Sequence, residues 1–212
     1  MKTLTAKYIK GLESLPETEL TEVFASIEES HGIDCVNWKE FPYSPEVSFK
    51  AAFSEKAIAI RFEVTEDHVK AVSLEDNGPV WEDSCVEFFI GNPVGEGYFN
   101  FELNCIGTLL AAKRRSKTDA DMFTAEQLAQ VRRVCSLQHE LTDRKEAGQR
   151  WWAVEVIPFN LLGLENAPAE LNVNFYKCGD NCEKPHFLSW SPIGLPEPNF
   201  HCPEFFGKFN LG

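Results

Sequence analysis

The chain has 212 residues, 43% of them hydrophobic, and a formal charge of -13. That length suits one sizeable core and a single domain. The charge excludes a binder of nucleic-acid phosphates, because such affinity comes from clustered Lys and Arg displacing counterions. The basic clusters Lys113-Arg114-Arg115 and Arg132-Arg133 are short and lie in or beside expected strands, so they read as solvated strand ends.

No apolar run approaches the length of a membrane span, and the first residues lack the apolar stretch of an export signal. The seven cysteines are odd in number and scattered, unlike a secreted disulfide scaffold. The expectation is an intracellular (cytoplasmic) protein with reduced thiols and no membrane partner.

Met1 to Lys10 reads as an edge strand with Leu4, Ala6 and Tyr8 on one side. After Pro16, Leu20, Val23, Phe24 and Ile27 recur at helical spacing in ETELTEVFASIEES, with acids at its start and Gly32 beyond its end, which predicts a short covering helix. Residues 1–32 therefore form an N-terminal extension of strand plus helix. From Ile33 the period becomes two: IDCVNW predicts a strand, and VSFKAAF and AIAIRFEV, separated by Ser54-Glu55-Lys56, predict a hairpin. Asp67 to Pro79 is polar and ends in the turn Asn77-Gly78-Pro79, which delivers Trp81 to the rim of the next strand.

SCVEFFI and YFNFELN, joined by a Gly and Pro turn, predict adjacent strands. Val86, Phe88, Ile90, Phe99, Phe101 and Leu103 mark one face as core. Cys85, Glu87, Phe89, Tyr98, Asn100, Glu102 and Asn104 mark the other, and GTLLAA continues the meander. Lys113 to Gln130 is charged, with a helical turn expected around TAEQLAQ, and VRRVCSLQ is a strand. Thr142 to Arg150 reads as a polar hairpin loop, WWAVEVIP as a strand with Trp152, Val154 and Val156 on one face, and PFNLLG as a helical turn closed by Gly163.

In LNVNFYKC, Val173 and Phe175 point inward and Asn172, Asn174 and Tyr176 outward. HFLSWSP, a Pro-rich loop and the short strand GKFNL complete the chain. The expected fold is all-β: a β-sandwich of two antiparallel sheets with short peripheral helices.

Asn has poor strand propensity, so a row of amides and acids on one strand face suggests more than solvation. Trp81 sets a flat apolar surface beside that row. Sugars present C–H faces that lie against aromatic rings, and hydroxyl edges that need paired donors and acceptors. An aromatic plate beside carboxylates and amides meets both needs.

WEDSCVEFFIG, YFNFELNCIGT, NFYKCGD, HFLSW and FHCPEFFG, in this order, closely resemble the family 9 carbohydrate-binding module and its bacterial relatives, from Ile33 to the C-terminus. The family belongs to the DOMON-like superfamily of β-sandwiches. The resemblance implies non-catalytic binding of a mono- or oligosaccharide between two aromatic plates. Trp81 matches the first plate, Glu87 the glutamate that follows it, and Phe200 the second plate, where family members usually carry Trp. Glu102 stands where the family carries a basic residue.

The expected ligand set is Trp81, Phe200, Glu87, Asn100, Glu102, Asn104, Asn174, Tyr176 and Asn199, with Lys177 and His201 flanking. Trp190, Trp151 and Trp152 are assigned to packing. Family members generally act outside the cytoplasm, which is the alternative to the location expected from the residues.

Glu87 and Glu102, facing the same way on neighbouring strands, also suit a glycoside hydrolase. Cys178, Cys182, His186, His201 and Cys202 hold enough soft ligands for zinc, yet His201 and Cys202 are consecutive and awkward to aim at one ion, so structural thiols and no metal site are expected. Calcium occurs in the family; Asp180-Asn181 and Asp119 to Asp121 are its only candidates. Haem is not expected, since Met122 is the sole internal methionine and no His has a ligand context.

Overall fold

The period-two segments do form strands. The computed structural model describes residues 2–212; Met1, the start of the expected edge strand, lies outside them. The N-terminal arm forms β1 (Thr3–Thr5), β2 (Lys7–Tyr8), helix α1 (Glu17–Ser26), β3 (His31–Gly32) and β4 (Cys35–Val36). The body follows with β5 (Glu46–Phe53), β6 (Ala57–Ala71), β7 (Cys85–Gly91), β8 (Tyr98–Asn104), β9 (Leu109–Arg114) and β10 (Ala120–Met122). Helix α2 (Ala125–Leu128), β11 (Arg132–Cys135), β12 (Thr142–Pro158), β13 (Glu170–Cys178), β14 (Phe187–Ser189) and β15 (Gly207–Asn210) complete it. Among the described residues no helix is long and apolar enough to cross a membrane.

Two sheets make the sandwich. The front sheet runs β1-β15-β13-β7-β8-β9-β10, with β14 pairing β13 and β4 pairing β14. The back sheet runs β11-β12-β6-β5-β2, with β3 on β5. The expected hairpin β5-β6 and meander β7-β8-β9 are both antiparallel. The arm adds the parallel pairings: β1 lies on β15 and β2 on β5, so one short segment is hydrogen-bonded to both sheets. Leu4 and Ala6 are buried by this, while Tyr8 stays exposed.

One expectation is overturned. Thr142 to Arg150 is not a hairpin loop but the first half of β12, paired with β6 as far as Ala71 and interrupted by an irregularity between Lys145 and Gln149. Most of these residues are exposed, so no hydrophobic alternation marks the ladder, which rests on backbone pairing.

Between the sheets, Phe175 stacks on Phe49 at 3.8 Å and on Phe88 at 4.6 Å, and Trp190 meets Phe175 edge-on. Trp151 is buried here and donates from Nε1 to Glu66 at 2.6 Å. On the outside of the back sheet, Leu20 and Phe24 of α1 cover Ala52, Ala59, Val154 and Val156, where small alanines let the helix approach. Trp152 borders this cluster with the Arg61 guanidinium 4.3 Å from its ring. A third apolar cluster, including Trp38, Phe89, Tyr98, Tyr176, Phe200 and Phe206, covers the outside of the front sheet. Every residue of β8 is consequently buried.

Glu155 lies on β12 between Ala153 and Ile157 in the alternation that faces the core, fully buried, and neither carboxyl oxygen has a partner. Burial pushes its carboxyl well above the usual carboxylate range. Because its folded pKa exceeds its unfolded one, the folded state loses stability as pH rises toward and through that folded pKa. Glu155→Met is expected to stabilise the protein by about 1–3 kcal/mol, with the margin widening as pH increases. Thermal melts over a pH series test this; a variant no more stable than wild type at any pH would refute it.

Candidate functional site

Strand register sets out the site. On the outward face of the front sheet, Tyr176 lies opposite Glu87, Cys178 opposite Cys85, and Glu87 opposite Glu102. Two loops convert this face into a cavity. A short turn at Val80–Glu82 buries Val80 and turns Trp81 outward with 37% of its surface exposed. The Trp81 carbonyl accepts from the Asp180 N–H at 3.2 Å, which ties that rim to the loop after β13.

On the other side the Pro-rich loop carries Phe200. Trp38 Nε1 donates to the Leu195 carbonyl at 2.9 Å, and Tyr176 Oη to the Phe200 carbonyl at 3.1 Å. Phe200 itself stacks on Tyr176 at 4.2 Å with the rings 6° from parallel. Between the two loops lies a cavity of about 290 Å³ lined by Trp81, Glu87, Glu102, Arg114, Lys117, Cys178, Asp180, Phe187, Pro198, Asn199, Phe200 and His201.

Six of the eleven residues expected from the sequence thus share one cavity: Trp81, Glu87, Glu102, Asn199, Phe200 and His201. Two stand behind its wall. Tyr176 backs Phe200, and Asn100 donates to Glu102 Oε1 at 2.8 Å while accepting from Arg114 Nε at 2.8 Å.

Three lie elsewhere. Asn104 accepts from the Ile106 and Thr108 N–H groups and donates to Ser73 O and Asp83, holding a turn. Asn174 exchanges hydrogen bonds with the Ser191 backbone. Lys177 does not flank the cavity: the alternation that turns Tyr176 outward turns it inward, where it is fully buried. There its Nζ is 3.0 Å from Glu66 Oε2 and 2.8 Å from His186 Nε2. These three polar groups are structural partners in the sense that buried polar atoms require.

Arg114 is the main residue the sequence reading missed as a site group. Its cluster read as a solvated strand end, yet β9 pairs with β8 in register and places Arg114 opposite Tyr98, beside the acids. It places a cation in the cavity that Glu102 lines. Phe187 was missed because β14 is too short to show alternation; its register opposite Cys178 puts it at the cavity. Lys117 and Pro198 come from loops and carry no signal in the sequence, and Asp180 carries one only for calcium. The other calcium candidates, Asp119 and Asp121, both pair with Arg115.

Burial governs the electrostatics. It raises Glu87 well above the usual carboxylate range, helped by Glu102 opposite. It raises Glu102 to about 7, with Arg114 and Asn100 pulling the other way. Asp180 is raised to about 6 by burial and then by Glu82. Burial, followed by Arg114 and Lys117, lowers His201 to about 3, so it is neutral and shares a 2.9 Å hydrogen bond with Tyr98. The cavity therefore offers carboxyl groups poised between donor and acceptor beside an aromatic rim.

A β-sandwich with an open, aromatic-rimmed and acid-floored cavity outside one sheet has the form of a small-ligand binding module. Residues 21–211 match the model of carbohydrate-binding family 9, and the chain belongs to that family. It is 38% identical to a "putative carbohydrate-binding protein" from Bacteroides uniformis ATCC 8492, with a TM-score of 0.93 over 100% of this chain and 99% of that one. A family 9 module from Caldicellulosiruptor kristjanssonii in complex with glucose shares the fold at 12% identity, TM-score 0.65, covering 100% of this chain and 96% of that one. A family 9 module from the same organism in complex with cellotriose gives 12% identity and 0.61, covering 99% and 93%. No curated protein matches this chain in sequence.

Since the folded pKa of Glu102 lies above the ordinary value of 4.5, its favourable contribution is complete at low pH and is lost as pH rises through about 7. That displacement corresponds to up to about 3 kcal/mol. Glu102→Gln should flatten the decline in stability between about pH 5 and pH 8 by up to that amount. Urea unfolding at each pH measures it, and an unchanged slope would show that Glu102 is not the titrating group.

Proposed function

We propose that this chain binds a mono- or oligosaccharide in the cavity between Trp81 and Phe200, without chemical turnover. The observation that carries the reading is Trp81: a large ring more than one-third exposed, on a buried anchor, at the mouth of a cavity floored by carboxylates. A pyranose C–H face lies on the indole, and its hydroxyls exchange hydrogen bonds with Glu87, Glu102, Asn199 and Arg114. Phe200 and Phe187 form the apolar wall opposite. Relatives of the same fold that carry glucose and cellotriose support a saccharide as ligand class.

Glu87 and Glu102 also admit the glycoside hydrolase reading. They lie directly opposite each other on adjacent strands, together on the floor of the cavity. Hydrolysis instead needs carboxyl groups that flank the scissile bond. That arrangement favours binding over turnover. The seven free cysteines favour a reducing compartment, and hence an intracellular encounter with imported sugars.

Calorimetric or fluorescence titration with a panel of mono- and oligosaccharides is expected to give saturable binding that Trp81→Ala weakens at least about tenfold, the loss of one stacking surface. Absence of response across a broad panel would remove the proposal. Turnover of a chromogenic glycoside that disappears in Glu87→Gln would replace it with the hydrolase reading.

A further inference from the structure

The soft ligands picked out by sequence spacing do not converge. Cys182 and His186 border a different cavity, beside His68 and Lys184, and Cys202 lies behind the aromatic wall. Cys178 instead meets two groups from a strand far away in sequence. Among the described residues, only Cys85, Glu87 and Cys178 bring three metal-ligating atoms within 4.8 Å of one another.

Strand geometry produces the cluster. Cys85 and Glu87 are two residues apart on β7 and so share a face, and Cys178 on β13 lies directly across from Cys85. The Cys178 thiol donates to Glu87 Oε1 at 3.0 Å. All three side chains are buried, yet Glu87 and Cys178 line the saccharide cavity, which gives an ion a route in.

We propose that Cys85, Glu87 and Cys178 form a three-donor site for a zinc-class divalent ion at the floor of the cavity. Tetrahedral zinc, with bonds of about 2.3 Å to sulfur and about 2.1 Å to oxygen, sets its ligand atoms roughly 3.5–3.8 Å apart. The Cys178–Glu87 pair, at 3.0 Å, has to open slightly to reach that, and the other separations, all within 4.8 Å, lie close to it. Two thiolates and one carboxylate balance a divalent charge to within one unit, and since Glu87 and Cys178 line the cavity, water or a ligand hydroxyl can supply a fourth ligand from it. The ion also offsets the repulsion between Glu87 and Glu102. Binding requires deprotonated thiols, so uptake releases protons and strengthens as pH rises.

Metal uptake is measured without sugar, so its outcome is separate from that of saccharide binding. The full chain, kept reduced with a non-chelating phosphine, is dialysed against zinc chloride and its metal content determined. One equivalent per chain is expected, falling at least tenfold in occupancy at limiting zinc in Cys85→Ser and Cys178→Ser but unchanged in Cys35→Ser and Cys135→Ser. Cobalt chloride added to the wild type should give a thiolate-to-cobalt charge-transfer band, a reading of sulfur ligation that does not depend on whether a variant folds. Failure of the wild type to retain zinc overturns the proposal. So does cobalt binding without that band, or uptake that survives both Cys85→Ser and Cys178→Ser.

Discussion

The strands β13, β7 and β8 are buried on both faces, and this single constraint organises the protein. A strand that is half-solvated can spend its outward positions on any polar residue. Here the inward positions meet the sandwich core, where Phe175 lies between Phe49 and Phe88, and the outward positions meet a second apolar cluster under the Pro-rich loop. With no water to turn to, each outward polar group must have a protein partner or face the cavity.

That requirement sorts the row of acids and amides by function. Asn104 and Asn174 are consumed in tying loops to the sheet, with the amide nitrogen and oxygen of each engaged by protein partners. Asn100 is consumed differently, as a bridge that holds Arg114 and Glu102 in fixed relation. Glu87 retains only a weak thiol partner, and so the row of amides frames the site rather than forming its contact surface. Amides satisfied by backbone bring rigidity; carboxyl groups with spare capacity bring reactivity toward a ligand.

This explains what the residues revealed and what they withheld. Period-two alternation located β7, β8 and β13 and their outward sets, because a buried strand must alternate whatever covers it. It also held the answer for Lys177, two residues after the inward Phe175, although a lysine in a sandwich core defies composition-based expectation. The Lys177 charge is tolerated through Glu66 and His186, which lie far away in sequence and carry no local signal. The opposite failure occurred at Thr142 to Arg150, where pairing with β6 persists without apolar residues to announce it. Arg114 and Phe187 required knowledge of which strands are neighbours. The resemblance supplied Phe200, and no periodicity connects a Pro-rich loop to Trp81.

The two walls of the cavity differ in freedom, and this bears on a phenylalanine, the smaller ring, standing opposite Trp81. Phe200 is almost fully buried, stacked on Tyr176, and its own carbonyl is held by the Tyr176 hydroxyl. Trp38 and Phe187 hold its remaining edges. A smaller ring offers a ligand less area, but a ring already packed by three aromatic neighbours has little rotamer freedom left to lose when a ligand arrives. Trp81 has the reverse character: a full indole, anchored only through the buried turn beneath it and its carbonyl. Ordering costs therefore concentrate on the Trp81 side, while the Phe200 side acts as a preformed surface. In the proposed saccharide site, selectivity therefore falls to the floor between the walls, where Glu87, Glu102 and Arg114 set the hydrogen-bonding groups and the charge that a ligand meets.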